Sequence, residues 1–192
     1  EYTHFIGVTD EVRKVKDLYI DKCLTATAVF LDPTLTLETP EWLWLSSGMR
    51  SVDHCVEAIC STTAHPYTDA LACHALQMLN RYLRECKSDP SNTIARLQCQ
   101  LASWLSVNGL ANVTLGLSHG TGHQLGARCN VPHGITSCVM MHNTMRFNKD
   151  FALDRLSWIA QILEVKNSSM SDEEAADAAA DAVQRLTEDL GL

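Results

Sequence analysis

Three histidines stand close together in a glycine-rich stretch, residues 117–133. His119 and His123 are four residues apart, so both imidazoles lie on one face if this segment is helical. His133 stands between a proline and a glycine, which indicates a loop that closes onto a new helix and returns a third imidazole to the first two. The three glycines of this stretch, with Gly116 just before it, indicate close approach of a ligand or another helix. We interpret the stretch as a shared site; core and cap histidines on a packing helix are the alternative.

The string LSHGTGHQLG followed by NVPHG resembles the signature of the iron-containing alcohol dehydrogenase family, including its maleylacetate reductase branch. The resemblance extends over roughly residues 28–148. It implies that His119 and His133 occupy the positions of metal ligands and that His123 lies beside the reacting carbon. It also implies the helical C-terminal domain of that family.

The second motif of that resemblance contains a departure. In the family a helix carrying D-x-x-x-H supplies a carboxylate and an imidazole to a divalent iron or zinc ion. The matching segment here, GMRSVDHCVE, has His54 at the histidine position and Arg50 at the aspartate position. A guanidinium stays protonated and has no lone pair to offer, and its charge repels a dication. We therefore predict no metal site; if iron or zinc were bound, its ligands would be His54, His119 and His133.

Two interpretations of Arg50 follow. It either pairs with Asp53 on the helix surface at i+3 spacing, worth a few tenths of a kcal/mol, or it holds an anionic or carbonyl oxygen through charge and paired donors. We favour the second. Asp53 is not expected to replace the missing ligand, because neighbouring helix positions diverge by about 100°. His123 is the candidate general acid, since imidazole titrates near neutrality; an inert wall residue is the alternative.

Four further side chains are placed by their context alone. His142 either lines the cavity or is a buried core residue, and we favour the core. His65 and His74 are expected in a loop and on a helix surface. Glu57, three residues after His54, either orients that imidazole or is a solvated helix carboxylate.

Composition bounds the remaining choices. The 192 residues can bury one full core. A net charge of -8 without a basic run argues against nucleic acid or an anionic membrane surface as partner. No apolar run approaches the roughly 20 residues of a membrane span, and we expect a cytoplasmic location. The eight cysteines, without a C-x-x-C pair, are expected to be reduced and mostly buried.

The elements that must position these residues are mainly helices. We expect an all-α helical bundle, with residues 1–37 as a linker and β entry segment and 38–192 as a helical catalytic-type domain. The family's N-terminal nucleotide-binding domain and final helices are expected to be absent from this sequence. A strand is predicted over 25–31. Helices are predicted over 39–61, with Thr39 as N-cap, Pro40 first and the helix either continuous or broken near 46–48, and over 68–86, 92–115, 117–127, 133–148, 151–165 and 171–190. The helix over 68–86 carries an apolar stripe at residues 71, 75, 76, 79 and 83 that should face the core. Ser171 with Glu174 is the pattern of a capping box for the last helix.

Three functions stay open. The first is the substrate domain of an iron-type alcohol dehydrogenase or maleylacetate reductase-like enzyme, which reduces a carbonyl if a nucleotide-binding domain supplies NAD(P)H. The sequence lacks a G-x-G-x-x-G after a strand, so if these 192 residues are the whole protein we do not expect it to transfer a hydride alone, and if they are an excerpt we do. The second is a cofactor-free isomerase, lyase, dehydratase or cyclase that uses His and Arg acid–base chemistry, and the third is a non-catalytic subunit. The expected partner is a small carbonyl- or carboxylate-bearing molecule; a homo-oligomer stays open.

Overall fold

Seven α-helices follow a short β-hairpin in the computed structural model, which describes residues 2–192 except the side chain of Lys16. The hairpin consists of β1 (Phe5–Asp10) and β2 (Val15–Ile20). The helices are α1 (Glu41–Cys60), α2 (Pro66–Ser88), α3 (Thr93–Leu110), α4 (Leu117–Cys129), α5 (His133–Phe147), α6 (Leu153–Ile162) and α7 (Asp172–Leu190). The predicted all-α fold with a short β entry is confirmed. The domain boundary at residue 38 stays a prediction.

Helix α1 lies at the centre of the bundle and contacts α2, α3, α5 and α6. Its side chains Met49, Val52, Val56 and Ile59 are buried at intervals of three and four residues, as a helix requires to bury one stripe. Each such side chain contributes roughly 1.5–3 kcal/mol through removal from water. The stripe predicted for α2 is buried as well, at Ala75, Leu76, Leu79 and Leu83, while Leu71 is only partly buried. The central helix therefore fixes the positions of the residues it carries.

The predicted strand over residues 25–31 is wrong. The structure describes this segment as irregular, with Phe30 91% exposed, and places the strands at residues 5–10 and 15–20 instead. These two segments pair antiparallel, with Phe5 opposite Ile20 and Asp10 opposite Val15. A strand needs a hydrogen-bonded neighbour. The four-residue turn after β1 lets β2 fold back and pair with it. No described strand lies alongside residues 25–31.

The start of α1 and the end of α3 differ from the prediction for identifiable reasons, and the other helix ends lie within three residues of their predicted positions. Pro40, not Thr39, is the N-cap of α1, because its backbone is still extended (ψ 136°). No break occurs near residues 46–48. Helix α3 ends at Leu110 rather than 115, because the loop after it is tied to the end of α1: Ser61 Oγ donates to the Thr114 carbonyl at 3.0 Å. This connection brings the start of α4 back to α1.

One local prediction is confirmed. Ser171 and Glu174 form the predicted capping box at the start of α7, with bonds of 3.2 and 2.8 Å. All eight cysteines are free, but the prediction that most of them are buried is wrong: four are buried, two are partly buried, and Cys23 and Cys129 are exposed. In the part of the chain that the structure describes, none of the helices has the length and apolar character needed to cross a membrane.

Gly134 permits α5 to pack against α1. A Cβ at this position would lie 2.6 Å from the backbone carbonyl of Ser46, whereas a Cβ at Gly120 would meet nothing within 4 Å. We predict that Gly134→Ala lowers the free energy of unfolding by roughly 1–3 kcal/mol through overpacking. The matched change Gly120→Ala should be neutral or raise it by up to about 1 kcal/mol. Urea unfolding of both variants measures the difference, and equal stabilities would contradict this account of α5.

Candidate functional site

Four imidazoles from three helices meet at one cleft. Helix α1 supplies His54, α4 supplies His119 and His123, and the first residue of α5 is His133. Ring centroids lie 5.1 Å apart for His54 and His119, 6.4 Å for His119 and His123, and 5.5 Å for His123 and His133. The structure thus brings together all four histidines that the sequence singled out. Their chemical roles stay predictions.

The cleft has a volume of about 440 Å³ and mostly apolar walls. Phe5, Leu18 and Ile20 of the hairpin form one wall, and Val107 and Leu110 of α3 contribute another. The polar lining consists of the four imidazoles, Arg50 and Thr3. None of the described lining residues is acidic. A cleft of this size suits a small molecule with a few polar groups.

Two glycines of the predicted close approach explain how α4 reaches its neighbours. A Cβ on Gly116 would lie 2.8 Å from a carboxylate oxygen of Glu57, and a Cβ on Gly122 would lie 3.0 Å from Thr136 Oγ1. Helix α4 therefore packs closely against both α1 and α5 where it carries His119 and His123. Gly126 makes only an ordinary contact.

Arg50 is a buried residue whose position is fixed by hydrogen bonds. Its Nη1 donates to Asp53 Oδ2 and to Ser137 Oγ, each at 3.0 Å, and the residue is only 7% exposed. The predicted pairing with Asp53 is present, but the surface placement attached to that interpretation is wrong. Arg50 lines the cleft beside the imidazoles. Its role toward a substrate oxygen stays a prediction.

Asp53 links three helices through one carboxylate oxygen. Besides Arg50, its Oδ2 accepts hydrogen bonds from Ser118 Oγ of α4 at 3.0 Å and from Ser137 Oγ of α5 at 2.6 Å. Asp53 is fully buried. Neither serine was predicted as a site residue. The only signals in the sequence are that Ser118 adjoins His119 and that Ser137 lies one helical turn after His133.

Glu57 caps the start of α4. Its carboxylate accepts from the backbone N–H groups of Gly116 (2.9 Å), Ser118 (2.7 Å) and His119 (3.3 Å), which satisfies donors that a helix N-terminus leaves free. Glu57 Oε2 also lies 2.7 Å from Nδ1 of His119. The two predictions for Glu57, a solvated carboxylate or an orienting partner of His54, are both wrong, because the imidazole it contacts is His119.

Burial and neighbouring charges set the protonation of the site. Burial, with help from His119, Arg50 and His133, lowers the pKa of His54 well below its ordinary 6.5, so this imidazole is neutral at physiological pH. Burial also raises the pKa of Asp53, against the effects of His119 and Arg50. Burial raises the pKa of Glu57 too, but its bonds to His119 and the α4 backbone outweigh this, and the net direction is downward.

The remaining histidines lie away from the cleft. His65 is the N-cap of α2 and His74 is exposed on α2, consistent with their predicted loop and surface positions. His142 is partly buried on α5, where burial lowers its pKa, and it does not belong to the cleft lining in the described part of the chain. The prediction that His142 is a buried core residue is therefore met only in part, because the side chain keeps some exposure.

The side chains present do not fit a divalent metal ion at the position that the resemblance implies. Arg50 occupies the carboxylate position, is buried there and offers no lone pair. Among the described residues, the ligand atoms that lie within 4.8 Å of one another belong to Asp53, Glu57 and His119. That set differs from the three histidines, and both of its carboxylates already accept hydrogen bonds.

Comparisons with known proteins agree with this architecture. Residues 44–192 match the profile described as Fe-containing alcohol dehydrogenase family, C-terminal. The chain is 32% identical over its whole length to the NAD-dependent methanol dehydrogenase of Bacillus methanolicus, of which it covers 50%. It superposes on the crystal structure of 1,3-propanediol oxidoreductase with a TM-score of 0.92 at 31% identity, over 98% of this chain and 50% of that one.

A maleylacetate reductase from Rhizobium sp. strain MTP-10005 is similar in fold. Its TM-score is 0.85 at 24% identity, over 100% of this chain and 51% of the other. At that identity the likeness concerns the fold alone. The chain spans about half the length of the curated relatives it matches.

The Glu57 cap leads to a pH-dependent prediction. A carboxyl whose folded pKa lies below its ordinary 4.5 stabilises the fold above that pH, and the contribution is lost as pH falls through the lowered value. We expect Glu57→Gln to lower the free energy of unfolding by about 1–3 kcal/mol at pH 7 and by less at pH 4. The control Glu85→Gln removes a surface partner of Arg81 and should cost under about 0.5 kcal/mol. A Glu57 effect that does not change between the two pH values would contradict the assignment.

Proposed function

Because this chain belongs to the Fe-containing alcohol dehydrogenase family, we propose that it forms the substrate domain of an oxidoreductase that interconverts a carbonyl compound and its alcohol. The observation that supports this most directly is the cleft, where Arg50 and four imidazoles surround an apolar space of about 440 Å³. Hydrogen-bond donors that are fixed in place and shielded from water stabilise a developing alkoxide oxygen.

Arg50 would bind the substrate oxygen. Since Nη1 is held by Asp53 and Ser137, the guanidinium is oriented before substrate enters and loses little freedom on binding. His119 is a second candidate: its Nδ1 edge faces Glu57, and its Nε2 is buried without a hydrogen-bond partner among the described residues. A substrate oxygen would satisfy such an atom.

His123 would supply the proton that converts the alkoxide to the alcohol. Its ring lies between those of His119 and His133 and lines the cleft. Imidazole exchanges protons near neutral pH, which suits both directions of the reaction. His54, which is neutral, would act as a hydrogen-bonding wall rather than as the acid.

A nicotinamide cofactor would supply or accept the hydride. The described residues contain one two-stranded antiparallel sheet rather than a parallel one, and Glu57 occupies the N-terminus of α4. They therefore offer no evident place for a pyrophosphate, and the cofactor assignment is supported by the similarity to an NAD-dependent methanol dehydrogenase.

The cleft favours a small substrate with one polar end. The hairpin and α3 provide apolar walls, and the positive guanidinium stands among the imidazoles at the polar side. An aldehyde, a ketone or a carbonyl compound that also carries a carboxylate would match this distribution. A cationic substrate would meet the charge of Arg50 without an acidic lining residue to offset it in the described part of the cleft.

The proposal predicts a specific loss of activity. In the presence of a nucleotide-binding domain that supplies NAD(P)H, we expect His123→Ala to lower kcat for carbonyl reduction about 10²–10⁴-fold, the usual contribution of a general acid. The control His74→Ala, which changes an exposed histidine on α2, should leave kcat unchanged. Circular dichroism checks that both variants remain folded. With that nucleotide-binding domain and NAD(P)H present, full turnover in His123→Ala, or no reduction of any aldehyde, ketone or oxo acid by the unmodified protein, would contradict the proposal.

A further inference from the structure

Building on the proposed function, we propose that the guanidinium of Arg50, held in place by Asp53, is the positive centre of this cleft and takes the place of a divalent cation. The protein would then polarise its substrate oxygen with organic donors and would act without bound iron or zinc. This inference concerns how the site works, and the carbonyl chemistry could hold even if the inference failed.

The positive charge of Arg50 lies among the residues that a metal would need. Arg50 lines the cleft together with His54, His119 and His133, the three imidazoles that a metal would require. It is only 7% exposed, so water screens its charge poorly. A dication placed among those imidazoles would be repelled by a guanidinium that water hardly screens and whose charge is offset only in part by Asp53.

The side chain of Arg50 has a fixed conformation. Nη1 has partners on both α1 and α5, namely Asp53 and Ser137. A Cβ added to Gly122 of α4 would come within 3.9 Å of the same nitrogen. Arg50 is therefore enclosed by three helices, and turning it outward to admit an ion would leave the buried carboxylate of Asp53 without its counter-charge.

The carboxylates nearest to Arg50 along α1, those of Asp53 and Glu57, are already engaged in hydrogen bonds. Asp53 Oδ2 already accepts three hydrogen bonds, and both oxygens of Glu57 accept backbone N–H groups at the start of α4. Neither residue belongs to the described lining of the cleft. Asp53 Oδ1 is buried without a hydrogen-bond partner among the described residues, so a metal could reach it without breaking the Arg50 pair. A metal that recruited Asp53, Glu57 and His119 would nevertheless have to break the α4 cap and would lie close to the paired guanidinium, so this cluster is better explained as the support of Arg50.

The direct test is metal binding by the purified protein. Elemental analysis should find far less than one iron or zinc per chain, and calorimetric titration with Zn²⁺ or Fe²⁺ should show no tight site. Dialysis against a chelator should leave carbonyl reduction unchanged. Stoichiometric metal in the unmodified protein, or activity lost on chelation and restored by the ion, would overturn the inference.

A designed variant tests the same point in reverse. The double change Arg50→Asp, Asp53→Ser restores a carboxylate four residues before His54 and leaves out the like charge beside it. We expect the variant to bind Zn²⁺ at least about 10- to 100-fold more tightly than the unmodified protein does. Mutation of a residue that only hydrogen-bonds a metal ligand already changes metal affinity by that much. The matched control Arg50→Gln removes the positive charge without adding a ligand and should gain much less.

These outcomes separate the inference from the proposed function. A protein that reduces carbonyl compounds and holds stoichiometric metal overturns the role of Arg50 alone. A metal-free protein without reductase activity overturns the proposed function alone. Should the double variant fail to fold by circular dichroism, the measurements on the unmodified protein still decide the inference.

Discussion

The site depends on the buried carboxylate of Asp53. One of its oxygens accepts hydrogen bonds from α1, α4 and α5 at once, through Arg50, Ser118 and Ser137. Breaking a buried ion pair by removing one partner costs far more than a surface pair contributes, because the remaining charge is left uncompensated. Helices α1, α4 and α5, which carry the four imidazoles, are thus joined through Asp53 and not through an imidazole.

A second buried carboxylate performs a different task one turn along the same helix. Glu57 accepts the free backbone donors at the start of α4 and contacts His119. Asp53 and Glu57 therefore divide the work, one orienting a cation and the other orienting a helix and its histidine. Their opposite pKa directions reflect burial, which outweighs the charges of His119 and Arg50 at Asp53 but is outweighed at Glu57 by His119 and the backbone N–H groups of α4.

Much of this could be predicted from residue patterns. The spacing of His119 and His123, the capping box at Ser171 and the apolar stripe of α2 depend on local helical geometry, and all three appear in the structure. The partner of Glu57 and the burial of Arg50 depend instead on which helices meet. Sequence spacing along one helix carries no information about contacts between residues some 60 or 85 positions apart, so these predictions failed or stayed open.

The hairpin gives the cleft a wall that the helices do not provide. Phe5, Leu18 and Ile20 face the imidazoles, although the hairpin is remote in sequence from the buried core of the bundle. A bundle without this wall would keep its hydrogen-bonded charges but open the cleft to solvent, and a higher local dielectric would weaken every electrostatic contact inside it. The buried core that stabilises the fold therefore lies in the helices, while the shielding of the site from water depends in part on the hairpin.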